Sequence, residues 1–288
     1  MINIAALQGP YLVSDEMVNI YLPIIANILL GNVKADDGIT SENKKRNQHY
    51  AISMGMNDAL ISHSKINEAP QGSIMVMPIS GPIMKEDNCG TPGTDTMRGR
   101  IALMNASDNI SGMILRINSG GGAVTGTAEL ANDIKNSRKP IVAYIDGNAA
   151  SAALWIASAA KVRIASSKNS MVGSVGVAST MMDYSKRLEA LGIKEHYVVS
   201  DGSEDKNASY LKVLKGNYAA YKAEVLNPLR DNFVAALREN IDALQKHETT
   251  AEPFTGKVYM AEKALSFGMV DEIGTFETAI QKLSDLTH

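Results

Sequence analysis

One stretch limits this chain more than any other: a strand, a glycine run and a helix, followed by a second strand that ends in a turn of small residues. Met113 to Asn118 reads as a strand, Gly120-Gly121-Gly122 follows, and a helical pattern runs to about Asn136. Pro140 to Asp146 reads as a second strand. It leads through Gly147-Asn148-Ala149-Ala150-Ser151 into a helix expected over Ala152 to Ala159. Gly173-Ser174-Val175-Gly176-Val177 closes the segment. Strands alternating with helices predict an α/β layer, with a site where the strands end in turns.

The flanks fill out the layer. Ser73 to Ile79 reads as a buried strand, and Thr94-Asp95 as the cap of a helix reaching about Asn105. Asp183 to Leu191 reads as a helix, Glu195 to Val199 as a strand and Ser200 to Ser209 as a polar loop. Tyr218, Tyr221, Val225, Leu229, Phe233, Leu237, Ile241 and Leu244 step by three or four, so a long helical pattern is expected, kinked or broken at Pro228. Phe254 to Tyr259, a short helix from Ala261, Met269 to Ile273 and a final helix end the domain. At the other end, Ser14 can cap a helix carrying Met17, Ile20, Tyr21, Ile24, Ile25 and Ile28, and a polar stretch over 32–48 follows. The expected division is an N-terminal helical arm with linker, 1–48, and a main α/β domain, 49–288. The arm reads either as a helix packed on the body or as a docking or oligomer arm.

Composition narrows the class. The net charge of −3 gives no signal for nucleic acid or an anionic membrane. The single cysteine builds no intrachain disulfide, and the five histidines are scattered without ligand spacing, so neither a metal nor a cofactor is expected. The apolar run Tyr21 to Leu30 contains Pro23 and Asn27 and falls far short of the roughly 20 residues of a spanning helix. A soluble, cytoplasmic chain is expected.

Glycines after a strand leave amide N–H groups free to face a ligand. Gly120-x-Gly122-x-x-x-Gly126 with Asp146 approximates a dinucleotide site, with different spacing. The same amides would also serve an oxyanion hole, where losing one donor typically costs about 2.7–4 kcal/mol of barrier lowering. Ser151 stands where a nucleophile would, at a strand-to-helix turn flanked by alanines, although a plain helix cap would look the same. Its base would be His196 or a lysine, and the residues alone do not choose.

In order and spacing, several motifs together resemble the signal peptide peptidase A (protease IV) family of serine peptidases, including its shorter phage and prophage forms. Ile79-Ser80-Gly81-Pro82-Ile83 resembles the family's first strand and turn. Asn118-Ser119-Gly120-Gly121-Gly122-Ala123-Val124 resembles its Ser-Pro-Gly-Gly-x-Val loop, with Gly120 in place of proline. The segment Ala149 to Ala157 resembles the nucleophile motif, and Gly173 to Val177 its Gly-Ser-Ile-Gly-Val. Ser200-Asp201-Gly202 through Lys206-Asn207 is similar to the segment carrying its lysine. Gly256-Lys257-Val258-Tyr259 and Ala264 to Asp271 resemble its closing motifs.

The resemblance implies a Clp-protease/crotonase-like α/β spiral of ββα units behind the N-terminal helical appendage. It implies Ser151 as nucleophile, Lys206 as general base and Ser174 orienting the lysine. Gly121 and Ala152, or Gly122 in an alternative register, would supply the oxyanion amides. It also implies a peptide or protein substrate, in signal-peptide remnants or phage capsid and scaffold proteins, and a ring-like homo-oligomer, with Lys206 serving Ser151 either of its own chain or of a neighbour. The rivals are a crotonase-like acyl-CoA enzyme and a non-catalytic scaffold on the same fold.

Overall fold

The computed structural model describes residues 11–13, 47–54, 60–88, 90–181 and 183–287. The strands are β1 (Tyr11–Val13), β2 (Tyr50–Met54), β3 (Leu60–His63), β4 (Ser73–Ser80), β5 (Ile110–Ser119), β6 (Gly121–Ala123), β7 (Ile141–Ala150), β8 (Val162–Ala165), β9 (Met171–Gly173), β10 (Val258–Met260) and β11 (Glu272–Ile273). The helices are α1 (Thr94–Ala106), α2 (Thr127–Lys135), α3 (Ala152–Ser158), α4 (Ser185–Ala190), α5 (Ala208–Leu214), α6 (Ala219–Tyr221), α7 (Asn227–Asn240), α8 (Asp242–Gln245), α9 (Ala261–Phe267) and α10 (Phe276–Asp285).

The main sheet runs β10-β9-β7-β5-β4-β2-β3, with β4, β5 and β7 parallel at its centre. One edge of β7 is shared. β8 lies along Val142–Ile145 and β9 along Asn148–Ala150, so the sheet splits there. The period of two sorts the central strands between two apolar layers. Met75, Met77, Met113, Leu115, Ala143 and Ile145 face the layer that includes residues of α1, α2, α3 and α7. Ile74, Val76, Ile114, Val142 and Tyr144 face a second layer closed by Ala279 and Leu283 of α10. Burial on both faces explains why these strands read as continuous apolar runs. In the first layer, Trp155 of α3 lies flat on Phe233 of α7, with ring centroids 4.9 Å apart.

Beside the sheet lies a second small layer. Ile83 forms a parallel bridge to Gly122 of β6, and β6 pairs on its other side with β1. The order β4, Ile83, α1, then β5, β6, α2 makes two successive ββα units, the Clp/crotonase-type spiral. Glycine is required at Gly122, where a Cβ would stand 1.9 Å from the Ile83 carbonyl oxygen.

Several expectations are corrected. Glu195 to Val199 forms no strand: it has no sheet edge to pair with, and Val198 is 86 % exposed. The cap of α1 is Gly93, not Thr94. The chain enters the helix so close to the Lys85 carbonyl that a Cβ at 93 would approach to 2.3 Å, and the Gly93 N–H donates to Asp87 Oδ1 at 2.7 Å. The long helical pattern is broken, as one of the two outcomes expected of Pro228, but just before that residue: it runs as α6, a π turn over Lys222–Leu226, α7 and α8. Pro228 has no N–H for the preceding turn, which fits the widening. Strands β1, β2 and β3 were not expected. The predicted helix beginning at Ser14, and most of the 32–48 linker, lie outside the described residues. Among the described residues no helix is long and apolar enough to cross a membrane, and no cluster of metal-ligating side chains occurs.

Candidate active site

The C-terminal ends of three parallel strands converge. Ser119 of β5 pairs with Ala149 of β7, and Ala150 pairs with Gly173 of β9. The Ser151 N–H then donates to the Gly173 carbonyl at 2.8 Å. This pairing fixes Ser151 between the glycine strand and the Gly173–Ser174 turn.

Ser151 itself is strained. Its φ of 58° and ψ of −120° lie in a region that residues with a Cβ rarely adopt, at a cost of about 1–3 kcal/mol. It occupies the N-cap position of α3, but its side chain makes no capping bond. Instead Oγ is buried without any hydrogen-bond partner. A serine kept only as a cap would bond the helix amides, so the capping explanation fails. Three non-glycine residues among those described have positive φ: Ser151, Ser174 and Asn207. Two were singled out from sequence, and the third is adjacent to Lys206. Ser174 is held by its N–H, which donates to the Lys257 carbonyl at 2.7 Å.

The glycine run is organised by a residue that sequence reasoning did not single out. Ser119 Oγ donates to the Gly81 carbonyl at 2.6 Å and accepts the Gly121 N–H at 3.1 Å. Its signals were its place directly before three glycines and its match to the serine of the Ser-Pro-Gly-Gly-x-Val loop. The Gly122 amide faces the outer edge of β6, and the Ala152 amide opens α3 immediately after Ser151.

Lys206 lies in an exposed turn before α5, well organised by its own bonds. Its N–H donates to Ser203 O at 3.0 Å, its carbonyl accepts the Tyr197 hydroxyl at 3.1 Å, and Asn207 Nδ2 donates to that hydroxyl at 2.9 Å. Since Ser151 Oγ has no partner, no Ser151–Lys206 hydrogen bond forms within this single chain. His196 is likewise exposed and unconnected to Ser151. Asp146, which a dinucleotide site would use for a ribose, is engaged by Arg116 at 2.6 Å. β6 is moreover a paired strand rather than a phosphate turn, so that reading is set aside.

A strained serine at the end of a parallel strand, on a split α/β spiral with a glycine strand beside it, defines a Clp-type hydrolase architecture. Accordingly, residues 83–179 match the Clp protease family model, and residues 133–288 match the model of peptidase family S49. The chain belongs to peptidase family S49. It is 31 % identical over 183 residues to "Putative protease MJ0651" of Methanocaldococcus jannaschii, covering 63 % of this chain and 58 % of that one. It is 25 % identical over 220 residues to "Protease 4" of Salmonella typhi, covering 75 % and 35 %. To "Head-tail preconnector protein GP5" of Enterobacteria phage P21 it is 25 % identical over 222 residues, covering 73 % and 42 %. The chain thus spans from about a third to under three-fifths of the length of these relatives.

Proposed function

We propose that this chain is a serine endopeptidase working through a Ser151–Lys206 dyad and an acyl-enzyme. The observation that carries the reading is Ser151: strained, buried, unpartnered and set at the end of β7. Its Oγ attacks the scissile carbonyl while the Lys206 amine takes the hydroxyl proton. The amide of Ala152 holds the developing oxyanion together with that of Gly121, whose N–H has to turn from Ser119 Oγ to do so, while Gly122 pairs the peptide backbone. The proton passes to the leaving amine, and water then hydrolyses the ester by the same route in reverse. Ser174 orients the lysine.

A lysine serves as a base when desolvation keeps its amine neutral. Lys206 is exposed in the single chain, so the reading places it against a second copy, whose Ser151 it serves. The exposed apolar side chains flanking it, Leu191, Ile193, Tyr197 and Val198 among them, support such an assembly. The substrates are peptides or proteins presented as extended strands, with signal-peptide remnants and phage capsid or scaffold proteins as the two candidate classes. A crotonase-like acyl-CoA enzyme would use the glycine amides but has no role for a strained, buried serine. A scaffold would have no need to retain the strain.

The test is labelling with a serine-directed phosphonate, read by mass spectrometry with the assembly state checked. Adduct is expected on Ser151 in the wild type and absent from Ser151→Ala and Lys206→Ala. Mixing and reassembling the two inactive variants should restore part of the peptidase activity if the dyad forms between chains. Adduct persisting in Lys206→Ala would remove the lysine from the reaction.

A further inference from the structure

The strand edge that a peptide would need in this site is already filled by the chain's own N-terminal segment. On one edge of β6, the Ile83 N–H donates to Gly121 O at 2.9 Å and the Ala123 N–H donates to Ile83 O at 2.7 Å. Backbone groups alternate along a strand, so the N–H and C=O of Gly122 face the opposite edge. There β1 runs antiparallel, with Tyr11 opposite Ala123, Leu12 opposite Gly122 and Val13 opposite Gly121. β1 therefore travels toward the end of β6 that adjoins Ser119, whose partner Ala149 lies two positions before Ser151. A peptide added as an extended strand would require the same two Gly122 groups. A separate observation agrees with this: Ser151 is 0 % exposed, so no substrate reaches its hydroxyl in this arrangement.

We propose that residues 11–13 act as an intramolecular pseudosubstrate, holding the chain latent until the strand leaves β6. This rests on the Ser151 peptidase reading above. A tethered strand competes at an effective concentration of about millimolar, so weakly binding peptides are excluded and only a well-matched substrate strand displaces it. The device selects substrates as well as silencing the site, because β1 sets the affinity that an incoming strand must exceed.

Two full-length variants test it. Leu12→Pro removes the N–H that faces the Gly122 carbonyl, whereas Leu12→Ala keeps the backbone pairing. Amide exchange at Gly122 reports the strand, and phosphonate labelling of Ser151 reports the guard. The expectation is that Leu12→Pro accelerates both by about tenfold while Leu12→Ala resembles the wild type. Unchanged exchange at Gly122 in Leu12→Pro would overturn the occupancy. Faster exchange with unchanged labelling would show that β1 does not guard Ser151. Faster exchange with no labelling in any variant would remove the nucleophile and the latency with it, leaving β1 as plain structure. A wild-type chain found shortened near Val13 would make the strand a substrate rather than a plug.

Discussion

Ser151 holds its hydroxyl in a conformation that favours glycine, inside the protein, with nothing to bond. Both the backbone strain and the orphaned hydroxyl work against folding. Ser151→Gly removes both, so it should raise stability by about 1 kcal/mol in urea denaturation while abolishing labelling. A stability loss instead would show that the serine is held by contacts that outweigh its strain. The residue's place was legible from the small-residue turn after a strand. Its strain was not, because nothing local distinguishes a capping serine from a strained one; only the pairing of its N–H with Gly173 on another strand forces the turn. Lys206 was found through motif order alone, and within one chain it is exposed.

At the scale of elements, the central strands were readable because burial on both faces leaves few polar positions to confuse the pattern. β4, β5 and β7 were each anticipated, though β5 and β7 extend further than expected. β6 was not read as a strand, since three glycines carry no side-chain signal. Its strand character comes from Ile83 on one side and β1 on the other, both remote in sequence. Gly122→Ala tests this: the methyl would collide with the Ile83 carbonyl, which is backbone and cannot swing aside. A loss of about 2 kcal/mol or more is expected by denaturant titration, together with loss of phosphonate labelling. Glu195 to Val199 failed in the opposite sense. Its apolar run resembles a strand, but no neighbouring strand offers it an edge in the single chain.

For the whole molecule, the contrast is between a tightly buried spiral and the excursion that carries Lys206. α4 and α5 bury no residue, and Tyr184, Leu191, Ile193, Tyr197, Val198 and Tyr210 are all exposed there. Apolar patches of this kind mark surfaces that another molecule covers. Assembly through this face would explain why helices α4 and α5 of the excursion have no buried residue of their own. Val198→Asp should therefore lower the assembly state seen by sedimentation velocity, with peptidase activity falling in step. Full assembly with activity intact would place the interface elsewhere.

The stack of Trp155 on Phe233 has a use of its own. Trp155 is the sole tryptophan of the chain, and it sits one helical turn beyond Ser151 on the helix that Ser151 begins. Tryptophan emission from this protein therefore arises from one indole, fixed against an aromatic plane and joined to the site by a single short rod of backbone. The molecule carries its own optical gauge, and events at the serine that shift α3 can be followed in real time on the native chain, with no dye attached.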